Sequence, residues 1–476
     1  MNPVVLLRRA ATGLAVAAFI GGSLAATEAP LASACVTGAV GGVAGSPLTS
    51  SNVDYVCTIP LDAPGNAGHI QTVDGQTRLY VSSRTGLSIY DVTDPAAAEL
   101  LGHLPFQHWQ NEDTSVADDG SRLLVAADGG FPLPDVVATG LYVFDTSDPT
   151  DIQLVGVHPD APHTVTCAEA TCTWLYASNG KIYDASGATA SMTIVEGIAA
   201  ARQGTAIGIE EVGTFALTAA GEPVSSLHAS HRDASGLVIT DSRPRLVLDP
   251  RDDPAHPVVV AEFLPDDSRD PRLQHGNQRP DADLHESRGN GYVPADLAED
   301  PMRPGELLVT TSESNINPDC TNSGSIATWD LRGFDEGVTP TQLEVFHPVN
   351  GLPPSPDPVV NGAGCSAHWF DMAGELMAAS WYDHGTRFMH IDTATGAIEQ
   401  LGWFQPRSGL ATATFWGSDG YAFTVDNTRG IDVVRFNQAA PVPTVDAFNA
   451  SWLGARATTT VANILRYACR LGAADA

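Results

Sequence analysis

Two stretches of the chain, Gly86-Leu-Ser-Ile-Tyr-Asp91 and Gly140-Leu-Tyr-Val-Phe-Asp145, decide the predicted fold because they are copies of one pattern. In each copy a turn residue precedes four alternating residues rich in β-branched and aromatic side chains, which predicts a strand. An Asp ends the strand, and an Asp-Pro pair follows at Asp94-Pro95 and at Asp148-Pro149. Asp bonds to its own backbone and Pro presets φ, so we expect a tight turn after each copy.

The pattern recurs along the chain, which indicates a repeat protein. Further copies are Lys181–Asp184, Arg245–Asp249, Ser325–Asp330, Arg387–Asp392 and Gly430–Arg435, the last with Arg in place of Asp. A strand that ends in Pro follows most copies, and Pro cannot continue a ladder. Two more strands precede each copy. The first of them begins near His69, Asp113, His163, His228, His275, His368 or Thr412.

About seven units of four short strands predict an all-β fold, a seven-bladed β-propeller of four-stranded antiparallel blades. The last unit stops after its third strand near Phe436, whereas residues 53–60 form a strand without a unit. We therefore expect this N-terminal strand to dock on the last blade and close the ring; the alternative is an extension packed elsewhere. Residues 185–227 contain no clear repeat, and we expect them to distort or enlarge the third blade.

These repeats resemble the LVIVD-repeat family over roughly residues 50–436. The resemblance is strongest in Gly364-Cys-Ser-Ala-His-Trp-Phe-Asp371, Ala379-Ser-Trp-Tyr382 and Thr428-Arg-Gly-Ile-Asp-Val-Val434. It implies an exported bacterial propeller and implies no settled activity. The chain departs from the family at Arg435 and in residues 185–227.

The N-terminus predicts export. Arg8 and Arg9 precede an apolar stretch, and Ala32-Ser33-Ala34 offers the small residues that signal peptidase accepts, so residues 1–34 are interpreted as a signal peptide. Residues 35–52 are then a linker, 53–436 the propeller, and 437–476 a C-terminal tail with room for one helix. No later segment has the ~18 apolar residues of a membrane span. Cys35 follows an imperfect lipoprotein signal, so the alternatives are secretion and a cell-surface lipoprotein anchored at Cys35.

Seven cysteines in an exported chain suggest disulfides. Cys167 and Cys172 flank a predicted turn between two strands, which would bring their thiols within bridging distance. Cys320 and Cys365 form a second predicted pair. If Cys35 carries a lipid, Cys57 is left to pair with Cys469.

The charge of the chain limits its partners. With 56 acidic and 24 basic residues the net charge is −32, and such a surface repels nucleic-acid phosphates and anionic lipid. A protein or a small molecule remains as the partner.

Five of the seven predicted first strands carry a His near their start, which would place these imidazoles around one mouth of a central channel. They are His69, His163, His228, His275 and His368. Converging imidazoles can bind a divalent transition metal, and the carboxylates that could assist are Glu112, Asp113 and Glu313. Two alternatives stay open: each His braces its own blade against a repeated Asp, or the group binds a ligand directly.

Two functions follow from these patterns. The first is an exported binding or interaction scaffold that uses the channel mouth or one face. The second is a metal-dependent enzyme, such as an oxidoreductase, with the channel histidines as ligands. Propellers host both kinds of function, so the fold does not choose between them.

Overall fold

The computed structural model describes residues 35–36, 47–109, 112–129, 138–264, 274–280, 288, 291–313, 324–348, 365–406 and 409–438. Of residues 274 and 275 it describes the backbone alone. Among these residues, no helix combines the length and the apolar character that crossing a bilayer requires. The predicted signal peptide and the predicted tail helix lie outside the described residues.

The strands form seven antiparallel sheets, as the repeats predict. In chain order they are β1 (Leu48–Thr49), β2 (Val53–Ile59), β3 (Gly65–Val73), β4 (Gln76–Ser83), β5 (Gly86–Asp91), β6 (Glu99–Pro105), β7 (Arg122–Ala127), β8 (Gly140–Asp145), β9 (Gln153–His158), β10 (Val165–Cys167), β11 (Trp174–Ala177), β12 (Lys181–Asp184), β13 (Glu210–Thr214), β14 (Ser225–Arg232), β15 (Val238–Arg243), β16 (Arg245–Asp249), β17 (Val258–Phe263), β18 (Gln274–Gln278), β19 (Leu307–Ser312), β20 (Ile326–Asp330), β21 (Thr341–Phe346), β22 (Phe370–Ala373), β23 (Leu376–Ser380), β24 (Thr386–Ile391), β25 (Ile398–Gln405), β26 (Ala411–Trp416), β27 (Tyr421–Asp426) and β28 (Gly430–Phe436).

Each sheet is one blade of a seven-bladed β-propeller. Blades 1, 3, 4, 5 and 6 follow the chain as β3–β6, β10–β13, β14–β17, β18–β21 and β22–β25. Blade 2 contains β7–β9, and a segment near Val116 runs along its inner edge, where Val116 pairs with Leu123. Blade 7 has the order β2-β28-β27-β26, so its outer strand comes from the N-terminal part of the chain.

The core lies between the blades, because side chains alternate between the two faces of a strand. In β7, Leu123 and Val125 contact blade 1, whereas Leu124 contacts blade 3. Every pair of neighbouring blades shares such an apolar cluster, including blades 7 and 1. This two-sided burial explains why the strands are nearly continuous apolar runs.

The predicted closure of the ring is confirmed. β2 pairs antiparallel with β28, from Val53 opposite Phe436 to Ile59 opposite Ile431. The segment before β2 is also bound: β1 pairs with β25 of blade 6, and the Asn52 side chain donates to the Leu401 carbonyl at 2.9 Å. Part of the predicted linker therefore joins blade 6 to blade 7.

The repeated Asp residues cap turns, as the sequence predicts. In each case a carboxylate oxygen accepts a hydrogen bond from the backbone N–H two residues later, at 2.7–3.1 Å. The residues are Asp91, Asp145, Asp184, Asp249, Asp330 and Asp392. These bonds explain why Asp ends the strand in successive units.

Residues 185–227 contain a helix and the last strand of blade 3. The helix, α1 (Ile194–Arg202), begins with a capping box in which Thr193 and Glu196 bond each other's backbone N–H groups. Its residues Ile198 and Ala201 pack into the cluster between blades 1 and 2. The insertion thus covers the neighbouring blade before the chain returns to form β13.

The disulfides confirm one predicted pair and correct another. Cys167 and Cys172 are bonded as expected, whereas Cys57 is bonded to Cys35, so the predicted Cys57–Cys469 pair is wrong. The reason is local: Val36 forms backbone hydrogen bonds with Thr58, which holds Cys35 beside Cys57. A sulfur in a disulfide cannot carry a thioether-linked lipid, so the lipid anchor at Cys35 is also contradicted.

For the other predicted disulfide, Cys320–Cys365, the structure describes only Cys365. Cys365 is disulfide-bonded, and its predicted partner Cys320 lies outside the described residues.

Truncating the closing strand tests its energetic role. Ile59 is 1% exposed in the cluster between blades 7 and 1, so Ile59→Ala should lower the free energy of unfolding by about 2–5 kcal/mol through the cavity it leaves. The control is Val195→Ala on α1, where the side chain is 77% exposed and the change should stay within about 0.5 kcal/mol. Equal denaturation midpoints for the two variants would contradict the described closure.

Candidate ligand and metal site in the central channel

Five ionisable side chains from five blades converge in the channel; we call them the channel cluster. They are Glu112, His163, His228, Glu313 and His368. Glu112 lies four residues before Val116 of the inner edge of blade 2, His228 lies within β14, and Glu313 directly follows β19. His163 and His368 each lie two residues before the first strand of a blade. The first strands surround the channel of a propeller, so residues distant in sequence meet there.

Glu112 is the centre of the channel cluster. Its Oε2 atom lies 2.9 Å from His163 Nε2, 3.5 Å from His228 Nε2 and 4.0 Å from His368 Nε2. Glu112, His163 and His228 each offer one ligand atom, and these atoms all lie within 4.8 Å of one another. Glu313 is adjacent, with Oε2 at 4.0 Å from His228 Nε2. Two imidazoles and a carboxylate at this spacing can hold a divalent transition metal.

Further groups orient the channel cluster from behind. His163 Nδ1 lies 3.0 Å from Asp128 Oδ2, so the imidazole spans the carboxylates of Asp128 and Glu112. His368 Nδ1 bonds the Thr412 carbonyl, and the Tyr382 hydroxyl donates to Glu313. Sequence reasoning missed Asp128 and Tyr382. A positional signal existed, because both follow the second strand of a blade within two residues, as Glu313 does.

The pKa values of the cluster residues are strongly shifted by burial and by the charges of their neighbours. Burial acts to lower the pKa of His163, but the charge of Glu112 and the bond to Asp128 outweigh it and raise that pKa well above its ordinary value. Burial favours protonation of Glu112, yet the His163 charge dominates and its pKa is lowered. Burial lowers the pKa of His228 to about 4. At neutral pH His163 is therefore an imidazolium beside an ionised Glu112, and His228 is neutral.

Glu313 differs from Glu112 although both are buried carboxyl groups. Burial, followed by repulsion from the Glu112 carboxylate, raises the pKa of Glu313 to about 8. Burial also lowers the pKa of His368. At neutral pH the cluster therefore keeps one carboxyl and two imidazoles largely uncharged, with a single ion pair between Glu112 and His163.

A cavity of about 340 Å³, the channel cavity, borders this cluster and includes Glu112 in its wall. It extends to the exposed Ala234. Its aromatic wall consists of Trp369, Phe370 and Phe415. Enclosed apolar surfaces with a few polar groups are typical of small-molecule sites.

The wall of the channel cavity contains four carboxylates and two arginines. It includes Arg232 and Arg279, but these form ion pairs with Asp118 and Asp233. Burial raises the pKa of Asp113 to about 6, which leaves this carboxyl mostly ionised at pH 7. Asp371 behaves in the same way: burial raises its pKa to about 6. The cavity therefore carries a net negative charge.

The structure sorts the predicted site residues into two groups. His163, His228, His368, Glu112 and Glu313 come together in the channel cluster. His69 and Asp113 line the channel cavity, and burial lowers the pKa of His69 to about 4. His275 lies in β18 opposite Thr311, and its side chain is outside the described part of the chain. The repeated Asp residues cap their own turns, whereas His163 bonds Asp128 and Glu112 and His368 bonds the Thr412 carbonyl.

Comparison with known proteins gives structural similarity alone. No family model matches the chain, and no curated protein matches it. Among solved structures, the Myceliophteria thermophila Cps50 (Swd1) β-propeller domain is 12% identical with a TM-score of 0.48, covering 80% of this chain and 99% of that one. The RRP9 WD40 repeats are 10% identical with a TM-score of 0.45, covering 82% and 99%. YCF48 bound to D1 peptide is 9% identical with a TM-score of 0.43, covering 82% and 98%.

The ion pair between His163 and Glu112 predicts a distinct nuclear magnetic resonance signature. In chelator-treated protein at pH 7, the ¹⁵N shifts of His163 should be those of an imidazolium, because two carboxylates accept from its nitrogens. His228 should remain a neutral imidazole until the pH approaches about 4. A neutral His163 at pH 7 would contradict the described electrostatics.

The same pair predicts how stability depends on pH. The pKa of His163 is higher in the folded than in the unfolded protein. Its protonation therefore stabilises the fold fully below a pH of about 6.5, the unfolded-state pKa, and this stabilisation is lost as pH rises through the folded-state pKa. The pKa of Glu112 is lowered in the folded protein, so its ionisation stabilises the fold above a pH of about 4.3, and this stabilisation is lost as pH falls. The unfolding free energy lost in His163→Gln should therefore be largest near pH 5–6 and shrink at alkaline pH. A deficit that grows with pH would contradict this sign.

Proposed function

We propose that the chain is an exported β-propeller of the LVIVD-repeat kind that binds a small, positively charged organic molecule in its channel cavity. The observation that carries the proposal is the composition of that cavity, an aromatic wall beside two carboxylates, Asp113 and Asp371, while the arginines of the wall pair with Asp118 and Asp233. The proposed role is that of a binding protein whose specificity lies in the channel.

The aromatic wall favours a cation with an apolar body. The faces of Trp369, Phe370 and Phe415 carry the negative part of the ring quadrupole, which attracts cations and is most effective for Trp. Burial of the apolar part of the ligand adds about 25 cal/mol per Å² removed from water. An amine attached to a ring or a short chain would gain both the attraction of the cation to the aromatic faces and the burial of its apolar part.

The charged wall favours the same class of ligand. The ion pairs Arg232–Asp118 and Arg279–Asp233 leave Asp113 and Asp371 as the excess charge. The net charge of −32 adds a long-range field that attracts cations and repels anions. An anionic ligand would be repelled both by the carboxylates of the wall and by the net charge of the chain.

Export is supported by the cysteines. The Cys35–Cys57 and Cys167–Cys172 disulfides suit an oxidising, extracytoplasmic compartment. The N-terminal stretch of residues 1–34 agrees with that compartment, and the repeat pattern supports the LVIVD assignment.

Calorimetry with two probes of matched size tests the proposed ligand class. Benzylamine, a cation at pH 7, should bind the full chain, and benzyl alcohol, its uncharged counterpart, should bind at least tenfold more weakly. Asp113→Asn should weaken benzylamine binding about tenfold, since it removes a carboxylate from the cavity wall. Equal binding of the two probes, or no binding of benzylamine, would overturn the proposal.

A control variant is available on the surface. Asp145→Asn removes one negative charge at an exposed turn, where Asn offers the same acceptor to Ser147 N–H. It should leave benzylamine affinity unchanged. A loss equal to that of Asp113→Asn would assign the effect to overall charge and contradict a role for the channel cavity.

A further inference from the structure

We propose that the channel cluster is a divalent transition-metal site in which Glu112, His163 and His228 are the ligands. This inference goes beyond the small-molecule proposal and does not depend on it. It stands on donor chemistry, on spacing, and on the groups that hold the donors in place.

The donor set matches the chemistry of borderline metal ions. Imidazole nitrogens and a carboxylate oxygen suit Zn²⁺, Mn²⁺, Fe²⁺ and Cu²⁺. Three protein ligands are also the usual number where a metal keeps one position open for water or a substrate. Glu112 contributes one negative charge, so the site would remain net positive with the ion bound.

The spacing requires little rearrangement. Bonds of 2.0–2.2 Å in a tetrahedral site place neighbouring donor atoms about 3.3–3.6 Å apart. Glu112 Oε2 is already 3.5 Å from His228 Nε2 and 2.9 Å from His163 Nε2. Opening the shorter contact by less than about 1 Å would bring both distances from Glu112 into this range.

The outer contacts are those that metal-bound histidines use. Asp128 accepts from His163 Nδ1 at 3.0 Å, which directs Nε2 toward Glu112. A carboxylate behind a ligating His fixes its tautomer and increases its basicity. His368 is oriented in the same manner by the Thr412 carbonyl, and its Nε2 lies 4.0 Å from Glu112 Oε2.

The position of the site connects it to the cavity. Glu112 belongs both to the channel cluster and to the wall of the channel cavity. An ion held by Glu112 would therefore lie at the inner end of that cavity, where a small ligand could reach it. A buried structural metal would lack this access.

A second group of potential metal ligands lies outside the channel cluster and is a weaker candidate for a metal site. His158, Asp160 and Glu211 also lie close together, but Lys181 is between the two carboxylates, 2.8 Å from Asp160 and 2.7 Å from Glu211. The ammonium already forms ion pairs with both carboxylates and offsets one of their two negative charges. This outer group carries no proposal and supplies a matched control.

The test uses the full chain, stripped with chelator and then dialysed against Zn²⁺ alone or Co²⁺ alone. Elemental analysis should find one ion per chain. Bound Co²⁺ should give the intense visible absorption of a low-coordinate site with nitrogen ligands. Absence of bound Zn²⁺ and Co²⁺ from folded wild-type protein would overturn the proposal.

Variants assign the ion to the cluster. His163→Gln combined with His228→Gln should abolish binding, and Asp128→Asn should weaken it 10- to 100-fold while retaining one ion per chain. His158→Gln, in the outer group, should bind as the wild type does. Unchanged affinity in the double variant, or loss in His158→Gln, would refute the assignment.

Two readouts keep the outcome decisive. Circular dichroism checks folding of the double variant, and if it does not fold, Asp128→Asn and the Co²⁺ spectrum of the wild type still test the site. Benzylamine calorimetry on chelator-treated protein separates the two proposals. Metal binding without benzylamine binding would refute the ligand class alone, and the reverse would refute the metal site alone.

Discussion

The pairing of β2 with β28 is the constraint on which the rest of the structure depends. It joins residues separated by most of the chain and completes the blade that packs against blade 1. Each blade buries apolar residues on both faces, so an open arc would leave two such faces in water. Closing the ring removes that exposure, and burial of this kind is the dominant favourable term in folding. The β1 strand and the Cys35–Cys57 disulfide reinforce the same junction.

Closure also creates the environment of the candidate site. The inner strands surround a channel whose walls exclude most water, and there a charge is stabilised mainly by its neighbours. Glu112 and His163 form an ion pair, whereas burial, followed by the charge of Glu112, raises the pKa of the nearby Glu313 to about 8. We propose that the carboxylates of this channel attract a cation, either an amine against aromatic faces or a metal ion among imidazoles.

The site shows where residue patterns succeed and where they stop. His163, His228 and His368 recur near the start of first strands, so the repeat alone predicted their convergence. His69 is assigned to the same repeat position, yet it lies on the cavity wall: it is the fifth residue of β3, whereas His163 and His368 precede their strands by two residues. Asp128 and Tyr382 follow second strands, where the repeat carries no shared residue type, and their role emerges only from contacts with His163 and Glu313.

The sequence by itself determined the repeating strands, the Asp-capped turns, the Cys167–Cys172 disulfide and the need for a closing strand, because all of these follow from local periodicity and short-range bonding. Only the tertiary structure decided that Cys57 pairs with Cys35, that α1 covers blade 2, and that Glu112 lies at the centre of three imidazoles. The last two features depend on contacts between residues far apart in the chain, which form when the blades pack, and the first depends on the backbone pairing of Val36 with Thr58.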